Sequence, residues 1–429
     1  MSRTIHRTRN RYPFQAAMQK LLFIFCILAG LASPSSAQVQ QSIPDKALLA
    51  EDLEKLLTDL SERYIYLKDK KTDLACIREK YIPSLDTIRT ATGQVLFFEY
   101  LLYEFYDSHL ILNTNRKASY RLYAPLYANT RQNKTVITQV WQTQISNLHH
   151  NIIGAEVLKF NGRPFGQMID AFPTVCHDKS DEEIRNWIGN KILSGRYDQP
   201  RNLELKLTDG RIIELNLDDL QIRKDTTFLT SYHKQNVGVI RLNNSLGNGN
   251  LIREFDKALD ALMHTKGLLI DLRNTVDGGD SYIARAIMGR FVQQEAPYQK
   301  HWTVEAYADL PPVVRTWVEY VAPRGKTYTK PVVILVDRWT GSMGEGLAIG
   351  FEGMGRAVTV GTEMERLAGA MQGFSFKNQK FGYRLSTEKL FHINGTPREK
   401  YIPTHLFVPK SINQDEILVK GFELVKRSK

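Results

Sequence analysis

Val332 to Gly346 reads VVILVDRWTGSMGEG, and this stretch decides the fold. Five apolar residues run into Asp337, a short turn follows, and Ser342 stands just before a helix-like run, GEGLAIGFEGM. A serine at a sharp strand-to-helix turn has an exposed hydroxyl. The amides at the helix N-terminus point at whatever oxyanion forms there. Residues 267–281, GLLIDLRNTVDGGDS, repeat the plan: a buried-type strand, a glycine turn, then a helix. Two such units suggest a parallel sheet whose strand ends build a site.

Working outward, NVGVIRLN is a strand, NLIREFDKALDALM a helix, SYIARAIMGRFV a helix and AVTVG a strand. This alternation predicts an α/β domain with right-handed crossovers over residues 226–429. Residues 297–328 interrupt it with PYQKHWTVEAYADLPPVVRTWVEYVAPRGKTY, which reads as a segment covering a site or as a surface insertion. The tail reads as a hairpin and a terminal helix. Towards the N-terminus, Leu53, Leu56, Leu57 and Leu60 share one helical face, and residues 94–106 form a second apolar helix ending at Asp107. These define a helical region over 38–115. Residues 116–225 carry short β-rich runs, with LTDGRIIEL as a hairpin turning at Asp209-Gly210.

Residues 1–37 stand apart. Arg3, Arg7, Arg9, Arg11 and Lys20 precede LLFIFCILAGL, and SPSSA follows, which is the pattern of a signal peptide cleaved after Ala37. Its removal takes five positive charges from the net +11 and leaves +6. The expected product is exported, periplasmic or secreted, with no stable membrane anchor. No Lys/Arg block with interleaved aromatics indicates nucleic acid. No CxxC or HExxH indicates a metal, and no cofactor is implied. Cys76 and Cys176 are left to form one disulfide or to remain two buried thiols.

Taken alone, Ser342 is a nucleophile or a helix N-cap. A wider pattern bears on the choice. GLLIDLRNTVDGGDS, VVILVDRWTGSMGEG, TVGTE and the ending YIPTHLFVP, in that order over roughly residues 236–410, resemble the tail-specific, or C-terminal-processing, serine peptidases. Their superfamily includes the tricorn core and interphotoreceptor retinoid-binding protein. The resemblance implies a crotonase/ClpP-like βαβ core, a helical N-terminal region and, through GAEVLKFNGRPF, a PDZ-like domain. It implies that Ser342 is the nucleophile. Where the bacterial branch has its base lysine, GTEMERLAG places Leu367, and the neighbouring Arg366 stays protonated and cannot serve. The tricorn-like branch draws a histidine from the helical region, which lands on His109 in FYDSHLIL. Its imidazole titrates near 6.5 when unperturbed. Glu399, in GTPREKYIP, falls near the carboxylate that orients this histidine. Asp107 and Glu345 compete, and Glu345 also reads as a helix-terminal cap. The oxyanion donors are the Met343 amide and that of Gly278 or Gly279. Asp271 and Arg273 read as loop ties.

The resemblance therefore implies an exported serine endopeptidase working through an acyl-enzyme. Its partners are polypeptides, unstructured or held by their C-termini, with a terminal carboxylate bound by strand addition to the PDZ-like unit. The alternative is a non-catalytic relative that binds an apolar ligand or polypeptide C-termini.

Overall fold

The computed structural model describes residues 45–70 and 72–427. The signal peptide expected over 1–37 lies outside them. At the centre is a six-stranded sheet in the order His405–Leu406, Ala357–Gly361, Val332–Val336, Gly267–Asp271, Val237–Leu242, Leu229–Lys234. All neighbours run parallel except the last pair. The Val332–Val336 and Gly267–Asp271 strands are buried at every residue, as their unbroken apolar runs require. Alternation along the strand splits each between two cores. Val332, Ile334 and Val336 face the helices Asn250–Leu262, Ser281–Met288 and Met343–Gly353, through Leu251, Phe255, Ile287 and Phe351. Val333 and Leu335 face Ile417 and Val425 of the terminal helix Glu416–Arg427.

The segment between Ala296 and Lys330, read as a cover or a surface insertion, is mostly paired strand. The Ala296–Glu305 and Val313–Val321 strands form an antiparallel hairpin that joins Gly382–Phe391 in a second sheet. Pro311, Pro312 and Pro323 sit between and beyond the strands, and Pro297 stands at the start of the first, where the register shifts before Gln299. Within the strands, His301 is buried and stacks on Trp317 of the facing strand at 4.6 Å. Cross-strand pairs of this kind drive the pairing, which a loop-like composition conceals. Ala370–Ser375 and Ile111–Leu112 complete this sheet on Gly382–Phe391. The last of these strands ties the end of the helical region to the core.

The helical region consists of Lys46–Arg63, Leu67–Lys70, Leu74–Ser84 and Ala91–Tyr103. The last starts earlier than its apolar run because the Thr90 hydroxyl accepts the Gly93 amide at 3.0 Å. The β-rich segment is an antiparallel sheet ordered Leu126–Arg131, Lys134–Val140, Glu156–Phe160, Asn202–Lys206, Ile212–Asn216. Asn161 and Gly162 turn at φ 49° and 76°, the double positive φ of a tight hairpin. A helix, Glu182–Ser194, lies within the segment read as β-rich. Its signal was the Asp181 cap, whose carboxylate accepts the Glu183 and Ile184 amides. This helix covers the edge strand. Asn190 accepts the Ala128 N–H at 3.0 Å and donates to the Ala128 carbonyl at 2.8 Å, while Asn186 accepts the Thr130 N–H at 3.2 Å. A disulfide joins Cys76 of the Leu74–Ser84 helix to Cys176, their Cα atoms 5.8 Å apart. Among the described residues no helix is long and apolar enough to cross a membrane.

Candidate active site

The central strand ends at Val336, and its continuation is shaped by side chains. Asp337 accepts the Trp339 amide at 2.9 Å, and Thr340 Oγ1 accepts the Asp337 amide at 3.1 Å. The backbone then bridges Thr340 to Thr275, which joins this turn to the glycine turn of the neighbouring strand. Ser342 follows at φ 48° and ψ −109°. A non-glycine residue there stores about 1–3 kcal/mol of strain, which the surrounding structure must hold. Glu345 supplies that hold. Its buried carboxylate accepts the Ser342 N–H at 2.9 Å, the Arg366 N–H at 2.9 Å and the Leu367 N–H at 3.2 Å. Burial raises this carboxyl to about 7. Glu345 thus stands where the capping reading put it, and it also binds the segment where a dyad lysine would lie.

The glycine turn closes on the serine. A methyl group on Gly278 would stand 2.4 Å from Ser342 Cβ, 2.9 Å from Ser342 Oγ and 3.0 Å from the Met343 nitrogen. Gly278 has φ 65° and donates its N–H to the Thr275 carbonyl at 3.0 Å. Gly279 packs instead against the Leu246 backbone, and its N–H has no acceptor among the described residues. Met343 opens the helix, so its N–H has no intrahelical partner. Among the described residues the Met343 and Gly279 amides are therefore both without an acceptor, and Gly278 contributes its missing side chain against Ser342.

His109 comes from the end of the helical region. Asp107 shapes its turn: one carboxylate oxygen accepts the His109 backbone N–H at 2.8 Å and the other accepts the Tyr64 hydroxyl at 2.6 Å. The ring is buried. Nδ1 bonds the Ala368 carbonyl at 2.9 Å, which makes Nδ1 the protonated nitrogen and leaves Nε2 as an acceptor. Nε2 is buried with no partner. Burial first, then the Arg398 charge, pulls the imidazole down to about 4. Arg398 also donates to the Leu367 and Gly369 carbonyls at 3.0 and 2.8 Å.

None of the three carboxylates considered for orienting His109 bonds its ring. Asp107 serves the backbone and Glu345 serves amides. Glu399 is half-buried, with Oε2 lacking a partner. Together with burial, its charge raises the Tyr66 phenol. Residues 366–368 link the two halves of the site, bound to Ser342 through Glu345 and to His109 through the Ala368 carbonyl. Sequence could not reveal that last contact, because a backbone carbonyl has no residue signature. Glu365 also escaped notice. A methyl group on Gly341 would stand 2.2 Å from its Oε2, which is buried and unpartnered. Burial and the neighbouring Glu345 raise this carboxyl well above its usual range. A cavity of about 810 Å³ lies along this face, between Trp339 and Glu365 on the serine side and Asp107 and Ser108 beside the histidine.

Residues 236–406 match peptidase family S41. Over these residues the core is similar to the family S41 peptidases. No curated protein matches the chain. Among solved structures, mature CPAF complexed with lactacystin is 13% identical, with 89% of this chain and 98% of that one covered and a TM-score of 0.59. The photosystem II D1 C-terminal processing protease is 14% identical, with 89% and 97% covered and a TM-score of 0.53. At these identities the likeness is one of fold, and that fold is α/β. The S41 segment contains Ser342, Gly278, Glu345 and Glu399, whereas His109 lies outside it, on the strand-bound end of the N-terminal helices.

Proposed function

We propose that this protein is an exported serine endopeptidase of the tail-specific type, with Ser342 as nucleophile and His109 as base. The observation that carries the reading is the packing of bare Gly278 against Ser342 and the Met343 amide, at a strained helix-capping serine. Such a turn presents a hydroxyl beside free backbone amides, the arrangement acyl transfer needs. Ser342 Oγ attacks the peptide carbonyl while His109 Nε2 takes its proton. The carbonyl oxygen gains its charge between the Met343 and Gly279 amides, since the Gly278 N–H is committed to Thr275. His109 then gives the proton to the departing amine, which leaves the acyl group on Ser342. Water, deprotonated by the same imidazole, releases the acid. The Ala368 carbonyl fixes the productive tautomer in the position a carboxylate holds in a triad. Glu399, the carboxylate favoured from sequence for that position, has no bond to the ring in this arrangement.

Export is supported by the leader-like residues 1–37 and by the Cys76–Cys176 disulfide, since such bonds persist in oxidising compartments. The substrates are polypeptides. Strand addition to the β-rich, PDZ-like unit along Leu126–Arg131 is disfavoured, because Asn186 and Asn190 already occupy Ala128 and Thr130. The test uses residues 38–429. They should degrade a disordered polypeptide and take up a fluorophosphonate on Ser342, and Ser342→Ala should lose both with an unchanged melting temperature. Neither cleavage nor labelling by the native protein, with stoichiometric uptake of an apolar fluorophore instead, overturns the peptidase reading.

A further inference from the structure

The cavity beside the site contains a cation that the proposed chemistry does not use. Lys191, on the Glu182–Ser194 helix, is only 7% exposed yet lines the cavity. Its Nζ lies 5.0 Å from the Tyr103 ring centre and 5.4 Å from that of Trp187. Among the described residues it forms no ion pair. Glu99, the acid that acts on it most strongly, is engaged by the Tyr103 hydroxyl at 2.5 Å and the Tyr120 amide at 3.1 Å. Burial pulls the ammonium down to about 8, so it keeps its charge at neutral pH.

A second cation shares the wall. Arg338 lies 3.9 Å over the Tyr127 ring and donates to the Met364 carbonyl at 2.6 Å, while its Nε is buried with no partner. Several acids of the same cavity are engaged elsewhere. Asp69 pairs with Lys389, Asp107 takes the Tyr64 hydroxyl and Asp181 caps its helix. Glu365 faces Lys191 from the serine side, and burial favours its neutral form. Glu99 acts on Lys191 only from a distance, and a buried ammonium with no carboxylate in contact gains from an anion supplied from outside. The same helix fills the main-chain groups of the edge strand through Asn186 and Asn190, so an incoming chain is offered charge here rather than a β-ladder.

We infer that Lys191, with Arg338 in the same wall, determines specificity by holding a carboxylate of the polypeptide in the cavity lined by Trp339 and Glu365. The inference rests on the peptidase reading for its substrate. The carboxylate is either an acidic side chain or the chain terminus, and both present the same group.

The test separates binding from turnover. Four fluorescent unstructured peptides of one sequence are compared: neutral with an amidated end, neutral with a free C-terminal carboxylate, and amidated with one central Glu or one central Gln. Dissociation constants are measured by anisotropy on Ser342→Ala, and kcat/KM on the active protein. At least one carboxylate peptide should bind about tenfold tighter than its neutral counterpart. Preference for the free end assigns the pocket to chain termini, and preference for Glu over Gln assigns it to acidic side chains. In Lys191→Met, whose stem still packs on Trp187, the ratio should fall to near one. Arg338→Gln provides a second reading should that variant fail to fold. Equal binding of all four peptides overturns the inference, as does a preference unaltered by either substitution. Since binding is read on Ser342→Ala, a protein that binds carboxylate peptides yet cleaves nothing refutes the peptidase reading and leaves the pocket standing.

Discussion

The pH dependence of turnover offers the sharpest check on His109. An unperturbed imidazole at about 6.5 is only about one-tenth neutral at pH 5.5, so a base of that kind would have lost about nine-tenths of its activity there. Burial and Arg398 hold His109 down to about 4. At pH 5.5 it is then more than about nine-tenths neutral, and the acid limb of kcat/KM, which reports the free enzyme, should centre near pH 4. Stability carries the same shift with a definite sign. Below about 6.5 the unfolded chain takes up the proton before the folded one does. The neutral, buried ring therefore costs no stability above that pH, and stability is lost progressively as pH falls from about 6.5 to about 4. The gap of about two and a half units corresponds to about 3 kcal/mol. The assay is initial-rate cleavage of an unstructured fluorogenic peptide between pH 3.5 and 8. Short exposures are used, and circular dichroism verifies folding at each point. His109→Gln should abolish turnover and flatten the matching part of the stability curve. A limb centred between pH 6 and 7 would mean a solvated base and refute the buried-ring argument. Turnover that survives in His109→Gln would remove the residue from the mechanism.

Gly278→Ala places a methyl group 2.4 Å from Ser342 Cβ at φ 65°. It should lower kcat by about 100-fold or more through displacement of the nucleophile, with a stability cost of about 1 kcal/mol; fluorophosphonate labelling rates at Ser342 check this, and wild-type labelling would contradict it. Glu345→Gln leaves three amides facing a side chain that is half donor, so a loss of about 1–3 kcal/mol should appear as a lower urea midpoint. Reduction of Cys76–Cys176, which closes a loop with a sequence separation of 100, should cost about 2–4 kcal/mol in the same measurement, and an unchanged midpoint would show that the bridge is not formed in solution.

The α/β core was legible because its strands are buried on both faces and so read as unbroken apolar runs, each ending in a turn with its own signature. Val332–Val336 and Gly267–Asp271 appear where those runs are. The hairpin at Asp209-Gly210 was legible for the same reason, a turn pair between alternating residues. Legibility failed where tertiary contacts outweigh composition. Glu182–Ser194 was hidden by the β texture around it, and Ala296–Val321 by its prolines and mixed polarity, although stacked His301 and Trp317 hold it as a hairpin. In the site, the strand-to-helix turn marked Ser342, and the motif resemblance marked His109 and one of Gly278 and Gly279. The ring's partner could not be marked, because the competition among Glu399, Asp107 and Glu345 assumed that a side chain holds it.

A carboxylate beside His109 would favour the imidazolium and raise its pKa, but it would also bring a second charge into a site that already buries Glu345 and Glu365. A carbonyl dipole fixes the same tautomer without adding a charge. The Ala368 carbonyl can serve only if residues 366–369 are immobile, and three side chains make them so. Glu345 takes the Arg366 and Leu367 amides, Arg398 takes the Leu367 and Gly369 carbonyls, and Ser386 donates to the Ala368 carbonyl at 2.5 Å. Leu367 stands where the dyad branch of the resembling peptidases has its lysine, and its side chain is buried. The segment that would have presented a base thus presents a rigid acceptor to His109, the proposed base, from another part of the chain. On this argument Arg398 is a positioning residue. Arg398→Lys, which cannot reach two carbonyls with a planar fork, should lower kcat while leaving KM nearly unchanged. Removing the cation's repulsion entirely, as in Arg398→Gln, should move the acid limb of His109 upward from about 4. A limb that stays in place in Arg398→Gln would show that the guanidinium's charge does not act on the ring.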